Sequence, residues 1–379
     1  VVGLTGPPAA APLGWPEVLA RLSDRETLTE SEAEGVMGVV FAGQATPAQI
    51  GAFLTLLHAK GETVEEVTGM ARAMVDAAVP LPLPGVSLER LEDAEGKGPV
   101  IDLVGTGGDR LRSINVTTLS ALVVAGCGVP VCKHGNRAAS SAVGTADVLE
   151  ALGVAINLGP AGVARCVVEA GMGFCFAQRF HPAMKFVGPV RKELGVPTVF
   201  NFLGPLTNPA RTRYQFVGVS NPAVASTMAR VLGASGSRHA MIFFADDGLD
   251  ELSVTSPSTV VELTGDGAGD YEITQWRVDP AELGIPTATM EDLRGGDAAF
   301  NADAIRLVLG GECSARRDIA VLNAAAALMV AGRVSDLAAG MVLAADAVDS
   351  GRAARVLERL VAISQDEASD ESAQKAGAG

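Results

Sequence analysis

Apolar positions between Val36 and Met74 recur at the three-and-four spacing of amphipathic helices: Val36, Val39 and Val40, then Ile50, Phe53, Leu54 and Leu57, then Val67, Met70 and Met74. A start signal precedes each run. Thr29–Glu30–Ser31–Glu32 and Thr63–Val64–Glu65–Glu66 are capping boxes, and Thr46–Pro47–Ala48–Gln49 is a third with proline at the first helical position. A small all-helical unit is predicted. It closes in Val79–Pro80–Leu81–Pro82–Leu83–Pro84–Gly85, which suits neither a helix nor a central strand and reads as a hinge or linker.

From Val100 the pattern changes to short apolar runs, each followed by a loop and a helical stretch. The runs are Val100–Val104, Val129–Cys132, Gly173–Phe176, Thr198–Phe200, Gln215–Val219 and Ala240–Phe244. Strands alternating with helices predict an α/β domain with a mostly parallel central sheet covered on its faces. Ala161–Ala170 and Ala183–Leu194 read as helices that fit either this sheet or the first helical unit. Ala298–Leu309, Asp318–Val330 and Val334–Val348 are further helices, and there is no internal repeat. The ends, Val1–Gly14 and the acidic, small-residue-rich Gln365–Gly379, are expected to be disordered tails.

Composition narrows the function. With 379 residues the chain can bury a substantial core. Its longest apolar runs, around Leu119–Cys132 and Ile319–Ala331, are interrupted by Gly or Asn and fall short of a bilayer span, so no membrane partner is expected. The amino end lacks the basic start of a secretory signal. The formal charge of −15 opposes attraction to DNA or RNA, and a small anionic ligand would need a local cationic cluster. Five cysteines without a C-x-x-C pair read as reduced, partly buried thiols of a cytoplasmic protein.

Three segments carry candidate chemistry. Gly105–Thr106–Gly107–Gly108–Asp109 follows a strand signal and precedes the helix signal at Asn115–Val116–Thr117–Thr118. Glycines let backbone amides approach an anion, and the helix start adds unpaired N–H groups; a plain strand-to-helix turn would use the same glycines. The dinucleotide fingerprint is excluded because its last glycine falls on Arg110, and no Walker A loop occurs. Lys133–His134–Gly135–Asn136–Arg137–Ala138–Ala139–Ser140–Ser141 supplies the missing positive charge as the second strand ends, where Lys133 and Arg137 can neutralise phosphate oxygens. Ligands of open α/β sheets bind beyond the carboxyl ends of the strands, so both loops are expected to face one crevice. Asp246–Asp247–Gly248–Leu249–Asp250–Glu251–Leu252–Ser253 offers carboxylates of the kind that hold Mg²⁺ with few protein groups, although an acidic surface loop would look alike. His58, His181 and His239 have no partner at metal-ligand spacing and are assigned packing or surface roles, while His134 lines the cationic loop.

These segments, with Ala146–Gly153, His181–Lys185, Val190–Gly195 and Asn201–Pro209, resemble the ordered motifs of the anthranilate phosphoribosyltransferases from about Trp15 to the final helices. The resemblance implies a cytoplasmic, Mg²⁺-dependent enzyme of tryptophan biosynthesis. It would transfer the phosphoribosyl group of 5-phosphoribosyl 1-diphosphate to the amino group of anthranilate, giving N-(5-phosphoribosyl)anthranilate and diphosphate. Implied architecture is a helical domain, 15–84 with 158–195, hinged across a cleft to an α/β domain, 98–157 with 196–364, and a homodimer formed through the helical part. Carried over position by position, Gly105, Gly108, Asp109, Ser113, Asn115, Val116, Thr117, Thr118, Lys133, His134, Gly135, Asn136, Arg137, Ala138, Ala139, Ser140, Ser141 and Thr145 hold the diphosphate substrate. Gly105, Asn136 and Arg191 contact anthranilate, and Thr117, Asp250 and Glu251 are metal-associated. Lys133 and Arg191 carry catalysis, the first by taking up charge on departing diphosphate and the second by pairing with the anthranilate carboxylate. Ser113 stands where Thr is usual, and Thr117 and Thr145 where Ser is usual; each keeps its hydroxyl. A pyrimidine nucleoside phosphorylase would continue its lysine loop differently, and a nucleic-acid-binding relative would want a basic face and no Asp250–Glu251 pair.

Overall fold

The computed structural model describes residues 14–83, 99–109, 111–138 and 143–377, with no side-chain description at 375–377. The expected amino-terminal tail, apart from Gly14, lies outside them. The chain divides into two compact units. One contains residues 1–77 and 183–203. Its helices are Trp15–Ser23, Glu30–Phe41, Pro47–Lys60 and Val64–Asp76, joined by the returning helices Gly188–Leu194 and Phe200–Leu203. All three capping boxes close as the sequence predicts: Thr29, Thr46 and Thr63 accept from the N–H three residues on, and Glu32, Gln49 and Glu66 answer. Such caps are each worth about 1 kcal/mol. Glu66 does more, because it is fully buried and accepts from Leu28 N at 2.9 Å and Lys60 Nζ at 2.8 Å. Gly69 lets the second and fourth helices close up, since a Cβ there would stand 2.1 Å from Glu30 O.

The other unit, residues 78–182 and 204–379, is built on a seven-stranded sheet. The strands are β1 (Ile101–Gly105), β2 (Val131–Gly135), β3 (Met172–Phe176), β4 (Tyr214–Gly218), β5 (His239–Ala245), β6 (Ser258–Gly265) and β7 (Tyr271–Val278), in the order β3-β2-β1-β4-β5-β6-β7. The first five run parallel, β6 pairs antiparallel with β5, and β7 pairs antiparallel with β6. Helix Val116–Gly126 follows β1 and is apolar almost all round; of its eleven residues only Thr117, in its first turn, is not buried. That pattern is what a helix enclosed on all sides requires. No helix among the described residues is long and apolar enough to cross a membrane.

Four expectations change. Thr198–Phe200 is not a strand: Asn201 Oδ1 accepts from Thr198 N at 3.0 Å and the chain turns into helix Phe200–Leu203, a local cap prevailing over a three-residue apolar run. The segment that returns to the helices is 183–203 rather than 158–195, because Met172–Phe176 pairs along its whole length with β2. Val79 and Leu81 to Leu83 lie in the sheet unit, with Val79 N donating to Phe180 O at 2.8 Å and both leucines buried; Pro84 and Gly85 fall outside the described residues. The expected carboxyl-terminal tail is helical through Gly377, since its acids have partners. Arg165 reaches Asp366 and Glu367 at 2.7 Å each, and Glu371 accepts from Gly159 N at 2.6 Å.

Candidate functional site

Because β1 and β2 are parallel neighbours, their glycine and cationic loops leave the same end of the sheet. The β1 loop needs glycine where it turns, with φ of +64° at Gly107 and +89° at Gly108. Gly107 N donates to Asp250 Oδ2 at 2.8 Å, which ties this loop to the acidic segment after β5. Thr106 N donates to Gly218 O at 2.9 Å and Ser220 Oγ to Gly107 O at 2.8 Å, so the end of β4 completes the cradle. Gly218 is a site residue the sequence reading passed over. A Cβ there would lie 1.7 Å from Asp250 O, and one at Gly105 would lie 2.7 Å from Asp250 Oδ2. A glycine ending a strand is the signal that could have flagged it. Gly218→Ala is therefore expected to displace the Asp250 peptide and cost about 3 kcal/mol or more; an unfolding midpoint equal to that of the unaltered chain would show the backbone approach to be unnecessary.

At the helix start, Thr117 N donates to Glu251 Oε1 at 3.1 Å, whereas Glu251 Oε2 is buried without a hydrogen-bond partner among the described residues. Asn115 stands at the N-cap position, where its side chain turns away from the helix and its Oδ1 accepts from Asn301 Nδ2 at 2.9 Å; Val116 and Thr118 beside it are buried, and Ser113 bridges to Arg294. Asp109 Oδ1 accepts from Leu111 N at 3.3 Å and turns the loop back. Burial first, then the neighbouring Asp109 charge, pushes Asp250 up to about 6. Burial and Asp250 together push Glu251 well above the ordinary glutamate range. Two adjacent buried carboxylates that stay raised in spite of the Lys133 charge, one with an orphaned oxygen, are a site that a hard divalent cation would satisfy. Among the described residues no group of three or more His, Cys, Asp or Glu side chains is placed to hold a metal ion, and Mg²⁺ bound by one or two carboxylates plus substrate phosphates needs no such group. Asp246 and Asp247 are occupied elsewhere: Asp246 pairs with Arg277 at 2.5 Å, and Asp247 Oδ2 accepts from Ser253 Oγ at 2.6 Å and from Thr255 Oγ1.

Lys133 is 1% exposed and its Nζ donates to Leu103 O under the β1 loop. Burial lowers its pKa, opposed by the charges of Asp102, Glu251 and Asp250 in that order. Asp102, fully buried on β1, was missed because it interrupts an apolar run. Its Oδ1 accepts from His134 N at 3.0 Å, and burial pushes it up to about 6 against the opposing effect of Asn208. Lys133 is therefore a buried ammonium rather than a solvated side chain, and its charge reaches neighbouring groups through the low-dielectric interior. The rings of His134 and His181 lie 5.0 Å apart and are both buried. Burial lowers them to about 3 and about 4, so both are neutral at physiological pH, which suits lining better than proton transfer.

In the β2 loop, Gly135 packs on Phe174, and Asn136 Oδ1 accepts from Arg137 N at 2.8 Å. The Arg137 guanidinium, read from sequence as a phosphate ligand, is already paired with Asp147 at 2.8 Å and Glu150 at 2.5 Å. Ala138 N donates to Asp147 Oδ2 at 3.2 Å, and Thr145 begins the next helix. Ala139, Ser140 and Ser141 lie outside the described residues. Arg191 belongs to the helical unit, where it donates to Asn201 Oδ1 at 3.4 Å and its guanidinium sits 5.4 Å from the Phe200 ring centroid. Burial lowers its pKa from the ordinary arginine value.

Comparison with known proteins adds independent findings. Residues 97–354 match the family model described as glycosyl transferase family, a/b domain, and residues 16–78 match its helical bundle domain. An anthranilate phosphoribosyltransferase of Chloroflexus aurantiacus is 47% identical over 93% of this chain and 99% of its own length. One from Salinispora arenicola is 48% identical over 92% of this chain and 96% of its own. Among solved structures, the anthranilate phosphoribosyltransferase of Thermus thermophilus superposes with a TM-score of 0.82 at 41% identity, covering 92% of this chain and 99% of that one. The Saccharomyces cerevisiae enzyme in complex with PRPP and Mg gives 0.80 at 24% identity, covering 93% and 98%.

Proposed function

This chain belongs to the glycosyl transferase family and, within it, to the anthranilate phosphoribosyltransferases, and on that premise we propose that it works through one anion site built where β1, β2, β4 and β5 end. It transfers the 5-phosphoribosyl group of 5-phosphoribosyl 1-diphosphate to the amino group of anthranilate, giving N-(5-phosphoribosyl)anthranilate and diphosphate in tryptophan biosynthesis. The observation that carries the site is the Gly107 N–H on Asp250 together with the Thr117 N–H on Glu251, which join the glycine loop, the helix start and the acidic segment.

Breaking the bond from the ribose carbon to diphosphate leaves positive charge on the sugar and negative charge on the leaving group. The glycine turn at Gly107 and Gly108 lets the phosphate oxygens come close to the β1 loop, the dipole of helix Val116–Gly126 favours their charge, and the ammonium of Lys133 stabilises the departing charge from beneath. Asp250 and Glu251, with Thr117 beside them, would hold Mg²⁺, which when bound supplies Lewis-acid stabilisation of diphosphate. Anthranilate's amine is a weak base, so attack needs placement more than proton removal. Arg191 is the group for its carboxylate, with Asn136 and Gly105 as the other contacts in this reading. Loss of anthranilate fluorescence on adding 5-phosphoribosyl 1-diphosphate and Mg²⁺ tests the reaction. Arg191→Ala is expected to raise KM for anthranilate by about 10- to 100-fold, the worth of a charge-assisted hydrogen bond, with little change in KM for the diphosphate substrate; equal losses for both substrates in steady-state kinetics would reassign Arg191. The family's homodimer through the helical unit and a cytoplasmic setting belong to the same proposal, and sedimentation at micromolar concentration tests the dimer.

A further inference from the structure

We propose that Asn323 is a positioning residue for Glu251, holding the acidic segment in register with the start of helix Val116–Gly126; its bearing on Mg²⁺ rests on the reading of Asp250 and Glu251 given above. Asn323 is the one polar residue between Ile319 and Val330, in the middle of helix Ala315–Val330, and it is fully buried. A buried carboxamide is costly unless its hydrogen bonds are made. Here they go chiefly to one peptide outside the helix. Asn323 Oδ1 accepts from Leu252 N at 2.9 Å and Nδ2 donates to Leu252 O at 2.8 Å, with a further donation to Ile319 O at 2.8 Å. Both backbone polar groups of Leu252, the residue that follows Glu251, are thus fixed by a side chain 71 residues on. About one turn earlier the same helix meets the other partner of the site. Ser120, on helix Val116–Gly126 and fully buried, donates from Oγ to Ala320 O at 3.2 Å. Ala320 and Asn323, three residues apart, are neighbours on one face. Helix Ala315–Val330 therefore sets the spacing between Leu252 and helix Val116–Gly126, and the bond from Thr117 N to Glu251 Oε1 at 3.1 Å closes the same circuit from the other side.

An asparagine that merely completes the hydrogen bonds of the Leu252 peptide would matter to the fold and leave Glu251 where it is. The two roles separate at Thr117, whose N–H lies in the first turn and has no acceptor within its own helix, so its exchange reports the placement of Glu251. In Asn323→Ala, hydrogen exchange measured without substrate or metal is expected to rise about tenfold at Thr117 as well as at Leu252, with strands β2 and β3 unchanged. The Mg²⁺ concentration for half-maximal activity should rise about tenfold, while kcat at saturating Mg²⁺ and KM for anthranilate stay within about twofold. Ser120→Ala removes a single hydrogen bond and leaves Ala320 O to its own helix, so the fold is kept. It is expected to raise Thr117 exchange about two- to threefold without altering Leu252. Acceleration confined to Leu252 in Asn323→Ala, or unaltered Thr117 exchange in Ser120→Ala, would overturn the positioning role. Faster exchange at Thr117 with an unchanged Mg²⁺ requirement would count against Glu251 as a metal residue instead, and would leave its placement by Asn323 standing.

Discussion

Glu251→Gln is expected to lower kcat/KM for the diphosphate substrate by about 10²- to 10³-fold, the range found when one group that stabilises the developing charge is removed. The substitution is nearly isosteric, and the carboxamide oxygen can still accept from Thr117 N as Glu251 Oε1 does at 3.1 Å. What goes is the negative charge on the oxygen that has no hydrogen-bond partner among the described residues. The fold should therefore survive and even gain slightly, since the chain no longer has to bury a second carboxylate beside Asp250. Magnesium binding by calorimetry should weaken in parallel with activity, and raising the magnesium concentration should restore part of the rate. An unchanged magnesium affinity alongside full activity would remove Glu251 from the metal site and leave Asp250 to hold the cation alone.

Much of this site was legible because its parts are local. A glycine loop after a strand and a cationic loop after the next are each contiguous in sequence, and the rule that ligands sit at the carboxyl ends of parallel strands brings them together without further information. The capping boxes were equally plain, because Thr29, Thr46 and Thr63 act on residues three positions away. What escaped depends on contacts between distant segments. Asp102 matters through His134 and Lys133, about thirty residues on, and Gly218 through Asp250, and neither pairing leaves a trace within its own window. Arg137 shows the converse: its type and position suggested a phosphate ligand, while the acids that occupy it sit one helix later. The carboxyl-terminal helix was misjudged for a similar reason. Ala, Glu and Ser look solvated in isolation, but Asp366, Glu367 and Glu371 are opposite Arg165 and Gly159 N.

Lys133→Met is expected to combine a loss of activity of about 10²- to 10³-fold with a stability change whose sign of pH dependence is fixed in advance. The methionine fills much of the same volume, so packing beneath the β1 loop is largely kept. The ammonium, however, is the counter-charge that lowers the pKa of both Asp102 and Glu251. Removing one partner of buried charges costs about 3–5 kcal/mol when the others remain ionised. Without Lys133, Asp102 moves above its present value of about 6. A carboxyl whose folded pKa lies above its unfolded one holds its proton in the native state first, so the associated stability is complete below the unfolded pKa and is lost as pH rises through the folded one. The Lys133 side acts in the same direction, because burial lowers its pKa and its charged form is the costly one at low pH. Chemical unfolding should therefore show the deficit of Lys133→Met to be small near pH 5 and large near pH 8. A deficit that is constant with pH would mean that Lys133 packs without neutralising anything, and the buried ammonium could then not be the group that receives the leaving diphosphate's charge.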